Sequence, residues 1–224
     1  MPSYPIKYQK QFINDMFKAL NDFSEHFYAD GELDLDKFKE FFEVPGDKND
    51  TERIARVEDR MRTLKDENRV SLEEEKSRNE RSEIRCVGLT FETRPDCGLL
   101  PHGNLLLELG ATRIELGVQT VYDESLLITH RAHDSEMNKE SVQILRDLGF
   151  KLNFHLMPGL PGKDKKRISY EKDLEGMREI FTDPGYRPDM IKVYPCMVMP
   201  NTPLAEDYEK GIFEPMETDE AIKL

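Results

Sequence analysis

TRIELGVQ, residues 112–119, alternates without a break: Ile114, Leu116 and Val118 fall on one side, Arg113, Glu115, Gly117 and Gln119 on the other. A strand sends successive side chains to opposite faces, so this is a strand with one apolar face and one ionisable face. Three more segments repeat the pattern. RCVGLTFE (85–92) sets Val87, Leu89 and Phe91 against Cys86, Gly88, Thr90 and Glu92. FKLNFHLM (150–157) sets Leu152, Phe154 and Leu156 against Lys151, Asn153 and His155. DMIKVYPC (189–196) sets Ile191 and Val193 against Lys192 and Tyr194.

Helical stretches separate the strands, at about 101–109, 134–148 and 169–181. Ser135 is the expected N-cap of the second, and Gly110 and Gly149 stand where a helix C-terminus favours glycine. Strand–helix–strand alternation predicts a parallel sheet with right-handed crossovers, which puts all the helices on the apolar side. The polar faces then line either an open flat sheet or the inside of a curved barrel, and periodicity allows both. Two glycines beside Arg, Glu, Asn, His, Lys and Tyr suit a self-paired polar cavity better than a plain solvated face, which favours the barrel.

Upstream, Tyr8, Phe12, Ile13, Met16, Phe17, Leu20 and Phe23 recur at helical spacing and predict an amphipathic helix over 7–23. Residues 24–50 mix acidic and aromatic residues with turn signals at Asp30-Gly31 and Pro45-Gly46, and read as an irregular surface insertion. Ile54, Val57, Met61 and Leu64 form one helical stripe. Ser71 and Glu74 fit a capping box opening a further helix to about Glu83. The expected division is a helical segment over 1–84 and the strand–helix unit over 85–224.

Acidic residues outnumber basic ones in both halves of this 224-residue chain, whose net charge is −13. The basic cluster Lys163, Lys165, Lys166 and Arg167 reads as a solvated loop, so composition argues mildly against nucleic-acid binding by this segment alone. No apolar run approaches the ~20 residues that span a bilayer, and residues 1–10 do not read as a secretory signal. A cytoplasmic setting without membrane contact is the expectation. Cys86, Cys97 and Cys196 are far apart and form no C-x-x-C, so free thiols are expected and no metal ligands are assigned.

In parallel β/α barrels, reactive groups gather at the C-terminal ends of the strands. Here those ends carry Glu92-Thr93-Arg94-Pro95-Asp96, Gly117-Val118-Gln119, His155 followed by MPGLPG, and Tyr194-Pro195. A lone Glu-Thr-Arg is usually a loop ion pair, and a lone strand-end His is usually structural. Four ends converging on one rim carry more weight.

TFETRPD, LGATRIELGVQT, FHLMPGLPG and YRPDMIKVYP occur in this order in radical S-adenosylmethionine enzymes, and their wording resembles the Elongator catalytic-subunit family of tRNA uridine acetyltransferases. The likeness covers 85–224 closely and 4–23 loosely. It implies a partial parallel (β/α) barrel of the radical SAM type, α/β in class, with an N-terminal helical segment. It further implies that Glu92, Gln119 and Arg131 contact S-adenosylmethionine, with His155 near the ribose or the substrate. Gln119 could instead tie neighbouring strands together. Arg94, Lys192 and Tyr194 are weaker candidates for substrate or RNA phosphate. The family's chemistry uses a [4Fe–4S] cluster to reduce S-adenosylmethionine to an adenosyl radical. That radical abstracts hydrogen from acetyl-CoA, and the acetyl-derived radical adds to C5 of the wobble uridine, leading to a carboxymethyl-type modification.

This sequence departs from the pattern in several places. The cluster-binding cysteine loop, with the first barrel strand and the glycine-rich second, is expected upstream of residue 1, and the acetyltransferase domain downstream. Where relatives carry Asn-Arg-Gly-His, this chain has His130-Arg131-Ala132-His133. The chain is therefore expected to be inactive alone. Its expected partners are tRNA, a complementing cluster-bearing N-terminal fragment and an acetyltransferase domain, with other Elongator subunits only in a eukaryotic setting. Two rivals remain: a non-catalytic half-barrel acting as a binding or scaffolding module, and an aldolase-like barrel with Lys192 as Schiff base, against which the motifs weigh.

Overall fold

A computed structural model describes residues 4–224. They form two compact units, one ending at Val87 and the other running from Gly88 to Leu224.

The first unit contains α1 (Ile6–Phe27), a short hairpin of β1 (Tyr28–Ala29) and β2 (Glu32–Leu33), α2 (Leu35–Phe42), α3 (Thr51–Asp66) and α4 (Leu72–Asn79). α1 buries Gln9, Ile13, Phe17, Asn21 and Ser24, while Tyr8 and Phe12 are exposed. Its packed stripe is thus partly polar, because Asn21 reaches across to the Glu75 carboxylate and backbone carbonyl on α4 at 2.7 and 2.9 Å. Residues 24–50 are not irregular. α1 runs on to Phe27, Asp30 and Gly31 turn the hairpin with positive φ, and Asp34 caps α2 by accepting the Lys37 N–H. Phe38, Phe41 and Phe42 share a helix face at i, i+3, i+4 and ring Phe27, which is what orders the segment. The capping box at Ser71 and Glu74 is present, but α4 ends at Asn79.

The second unit runs β3 (Thr90–Thr93), a 3-10 turn (Pro95–Cys97), α5 (Leu100–Glu108), β4 (Arg113–Gln119), α6 (Asp123–Ile128), α7 (Ser135–Asp147), β5 (Lys151–Leu156), α8 (Tyr170–Thr182), β6 (Met190–Val193), α9 (Pro203–Glu209) and α10 (Thr218–Ala221). The four strands are parallel and lie in sequence order, β3-β4-β5-β6. Gly110 and Gly149 take positive φ just beyond α5 and α7, the left-handed conformation that glycine adopts without a Cβ penalty. Asp134, rather than Ser135, caps α7, accepting the Met137 N–H at 2.8 Å.

Two strand readings need correction. The first strand starts at Thr90, not Arg85, because its neighbour β4 begins at Arg113, directly opposite Thr90. Val87 consequently stands 94% exposed instead of facing the core. In β6, Ile191 and Val193 were expected against the helices but remain 41% and 44% exposed. The other apolar faces hold: Ile114, Leu116 and Val118 of β4 and Leu152, Phe154 and Leu156 of β5 are buried with Leu106, Val142, Leu145 and Ile180 from the helical layer. Burying that face fixes the register, since a one-residue slip would turn every ionisable side chain into the core.

Candidate active site

The parallel register lays the polar face out as a continuous surface. Glu92 lies opposite Glu115, Glu115 opposite Asn153, and His155 opposite Lys192. These positions share strand parity, so all of them leave the sheet on the side away from the apolar layer.

His155 sits at the centre and is 2% exposed. Its Nε2 is 2.7 Å from Glu115 Oε2, and its Nδ1 is 3.5 Å from Glu92 Oε1. Its ring meets the Tyr194 ring edge-on, with centroids 5.9 Å apart. Glu115 is held below the ordinary carboxylate range, first by the His155 hydrogen bond, against some opposition from burial, and also by the Lys192 charge and an Asn153 contact. Arg113 Nη2 approaches the other Glu115 oxygen at 3.7 Å.

Gln119 ends β4 with φ +69°, a left-handed conformation that is uncommon outside glycine and turns its side chain back toward the rim. Its Oε1 accepts the Tyr194 hydroxyl at 3.4 Å. A Cβ added to Gly117 would come within 2.9 Å of Gln119 Nε2, so the glycine leaves the space that the folded-back amide fills. Burial raises the Tyr194 phenol above its usual value. The Gln119 hydrogen bond and the Arg131 charge oppose the rise, and Glu92 adds to it. Tyr194 thus touches Gln119 and His155 and feels the Arg131 and Glu92 charges.

Arg131 Nε is buried and has no hydrogen-bond partner. The ring nitrogens of His133, two residues on, are in the same position, and burial lowers that imidazole's affinity for a proton. Arg94 makes a forked pair with Asp96 at 2.9 and 2.6 Å, so its charge is already engaged in its own loop. Lys192 is exposed on β6 and contributes its charge to Glu115. The motifs assigned no role to Glu115, Arg113 and Asn153, although the strand parity that puts His155 on the polar face selects all three.

An acidic side chain for the sulfonium amino acid's ammonium, and a half-buried guanidinium whose buried Nε has no partner for its carboxylate, fit S-adenosylmethionine. A four-iron cluster does not fit. Such clusters take thiolates from grouped cysteines, yet Cys86, Cys97 and Cys196 form no C-x-x-C, and burial pushes the Cys196 thiol up to about 11 and raises Cys97 as well. Among the described residues, the one group of three His, Cys, Asp or Glu donors within 4.8 Å of one another is Glu92, Glu115 and His155, an oxygen and nitrogen set.

A parallel β/α sheet with a polar rim at its strand ends describes a barrel segment, and residues 49–170 match the Radical SAM superfamily. The chain belongs to that superfamily. Residues 188–224 match the Radical_SAM C-terminal domain. Over 154 residues, 69% of the chain, it is 46% identical to the tRNA uridine(34) acetyltransferase of Methanocaldococcus infernus. It is 38% identical over 146 residues, 65% of the chain, to the bovine Elongator complex protein 3. The chain spans 28% and 26% of those two relatives. The structure of archaeal Methanocaldococcus infernus Elp3 with an N-terminal deletion superposes with a TM-score of 0.73 at 36% identity, covering 99% of this chain and 41% of that one. The fold is accordingly a partial parallel (β/α) barrel of the radical SAM type.

Proposed function

We propose that this chain is the S-adenosylmethionine-binding part of a tRNA-modifying enzyme that carries out acetyl-CoA-dependent carboxymethylation of the wobble uridine at C5. The observation that carries the reading is the contact of Gln119 and His155 with Tyr194, on which the Arg131 and Glu92 charges also act, in a chain that is 46% identical to a tRNA uridine(34) acetyltransferase. Arg131 takes the cofactor carboxylate, ending the isolation of its buried Nε, and Glu92 takes the ammonium. Gln119 and Tyr194 form a hydrogen-bonded wall, and buried His155 faces the nucleoside. S-adenosylmethionine, when bound, brings its reactive sulfonium to this rim.

The described residues bind, orient and exclude water. Cluster ligands, acetyl-CoA binding and the main tRNA contacts are assigned to residues other than those of the rim. Arg94 and Lys192 stand at the mouth as secondary contacts for substrate or RNA phosphate. No helix among the described residues is long and apolar enough to cross a membrane, in keeping with a cytoplasmic site of action.

The test is calorimetric titration of the chain with S-adenosylmethionine. Glu92→Gln and Arg131→Ala should each lose ~1.5–3 kcal/mol, roughly ten- to hundredfold in affinity, as expected for a charge-assisted contact. Unchanged affinity in both variants overturns the cofactor assignment.

A further inference from the structure

Three elements meet at Gly159, four residues beyond His155. Its N–H donates to the Asp173 carboxylate of α8 at 2.8 Å. Its φ is +80°, and a Cβ added there would lie 3.5 Å from Met216 Cβ and 3.6 Å from Arg167 Cδ. The Arg167 side chain thus crosses the turn that Asp173 holds, and its Nη1 goes on to Glu220 of α10 at 2.8 Å. The Tyr170 hydroxyl donates to the Lys223 carbonyl, also at 2.8 Å, so α10 is tied to the loop beyond β5 at two points. One guanidinium therefore serves two carboxylates of unequal mobility. Asp173 is 6% exposed on a helix of 13 residues, whereas the Glu220 side chain is 27% exposed on a helix of four without a side-chain cap. The other ionisable groups that act on or feel Asp173 leave this balance alone. Lys172 is engaged by Glu124, and burial raises both the Cys196 thiol and the Tyr122 phenol, which keeps them neutral.

We propose that Asp173 is a pH-operated latch for α10: as a neutral acid it leaves Arg167 to Glu220 and α10 stays clamped on the Pro158–Gly162 turn, and as a carboxylate it takes Arg167 for itself and lets α10 go. Burial and mobility decide which of the two carboxylates gives way. Ionisation of Asp173 sets a second negative charge beside Glu220 with a single guanidinium between them. A buried carboxylate without a counter-ion is costly, whereas an exposed one is solvated by water. Asp173 cannot leave its helix, and Glu220 can swing out with its short one. Burial pushes the Asp173 carboxyl up to about 6, opposed by the Gly159 hydrogen bond and the Arg167 charge, with Glu220 adding to the rise. The proton is held below that pH and lost above it, so the latch is closed in mild acid and opens toward neutral pH. Opening uncovers the turn that follows the strand carrying His155.

Hydrogen exchange at Ala221, Ile222 and Lys223 reads the latch, because these amides donate to the carbonyls of Glu217, Thr218 and Glu220. Each rate is divided by that of an unstructured peptide at the same pH, which removes the intrinsic pH dependence of exchange. Protection in the parent chain should fall roughly two- to fivefold between pH 5 and pH 7.5, the worth of a partly exposed ion pair. Asp173→Asn, which cannot ionise, should keep the higher value at both pH values. Glu220→Gln, a change at the surface that leaves the buried carboxyl in place, should show the lower value at both. Equal protection of the parent chain at the two pH values overturns the proposal. So does a fall in Asp173→Asn as large as the parent's, since another group would then be titrating. A Glu220→Gln chain that responds to pH like the parent overturns the exchange of Arg167 between the two carboxylates, and with it the latch.

Discussion

The Asp173 carboxylate on α8 accepts the backbone N–H of Gly159 at 2.8 Å, pinning the Pro158–Gly162 turn beyond β5 from a buried position. Burial pushes this carboxyl up to about 6 from an ordinary 3.8, against the Gly159 hydrogen bond and the Arg167 charge, which pull it down. The folded state therefore holds a proton that the unfolded state has released between pH 4 and 6. Stability from this group is fully present below about pH 4 and is lost as pH rises through about 6. The swing is on the order of 2–3 kcal/mol. Asp173→Asn keeps an oxygen for the Gly159 N–H and carries no charge. It should raise the denaturation midpoint at pH 7.5 and flatten this part of the pH profile, as chemical denaturation at several pH values will show. A variant as pH-dependent as the parent would mean that Asp173 does not titrate in this way.

Gly117→Ala should weaken the cofactor rim while leaving the sheet intact. The new methyl meets the Gln119 amide at 2.9 Å, and the next contact, the Thr93 carbonyl, is a comfortable 3.6 Å away. The flexible amide gives way and loses the Tyr194 hydroxyl. A loss of roughly fivefold in S-adenosylmethionine affinity is expected, the worth of about one hydrogen bond, with an unchanged melting temperature. An unfolded variant would instead place Gly117 in the fold's own packing.

Phe154→Ala tests the apolar side of the same strand. Phe154 is fully buried on β5 and meets Tyr186 edge-on at 6.3 Å between centroids. Truncation should cost about 3–5 kcal/mol, read as a lower urea midpoint at unchanged slope. A cost below about 1 kcal/mol would contradict the close packing of this layer.

Much of this molecule could be read from strand parity. Alternation located β4 and β5 and separated the buried Leu152, Phe154 and Leu156 from His155 on the opposite face. The strand ends were harder, because pairing begins where the neighbour begins: nothing in RCVGLTFE reveals that Arg113 opens β4 opposite Thr90. The aromatic helix over 35–42 was hidden by its acidic residues, and its order depends on Phe27 lying across its face. At the rim, family motifs pointed to Glu92, Gln119, Arg131 and His155. Glu115 was visible as a polar strand residue, but its pairing with His155 belongs to the register between β4 and β5.

The edges of the sheet lead to a last prediction. Among the described residues β3 pairs only with β4, and β6 only with β5, so each has a row of backbone donors and acceptors without a strand partner there on its outer side. Natural sheets blunt such edges with charge, proline or covering elements, because an open edge templates pairing with another chain. β3 carries one charge, Glu92, at its C-terminal end, and is preceded by the exposed Val87. β6 presents Met190, Ile191 and Val193 to solvent, with Lys192 its single charge. The β6 edge is the stickier of the two, since strand hydrogen bonding and apolar contact can form there together. The purified chain should self-associate at tens of micromolar, and Ile191→Lys should reduce this more than Val87→Lys does. Light scattering measures the difference, and hydrogen exchange can locate it, with amides of 190–193 gaining protection as concentration rises. A monomer at all concentrations, or equal effects of the two lysines, would show that the β6 edge does not direct association.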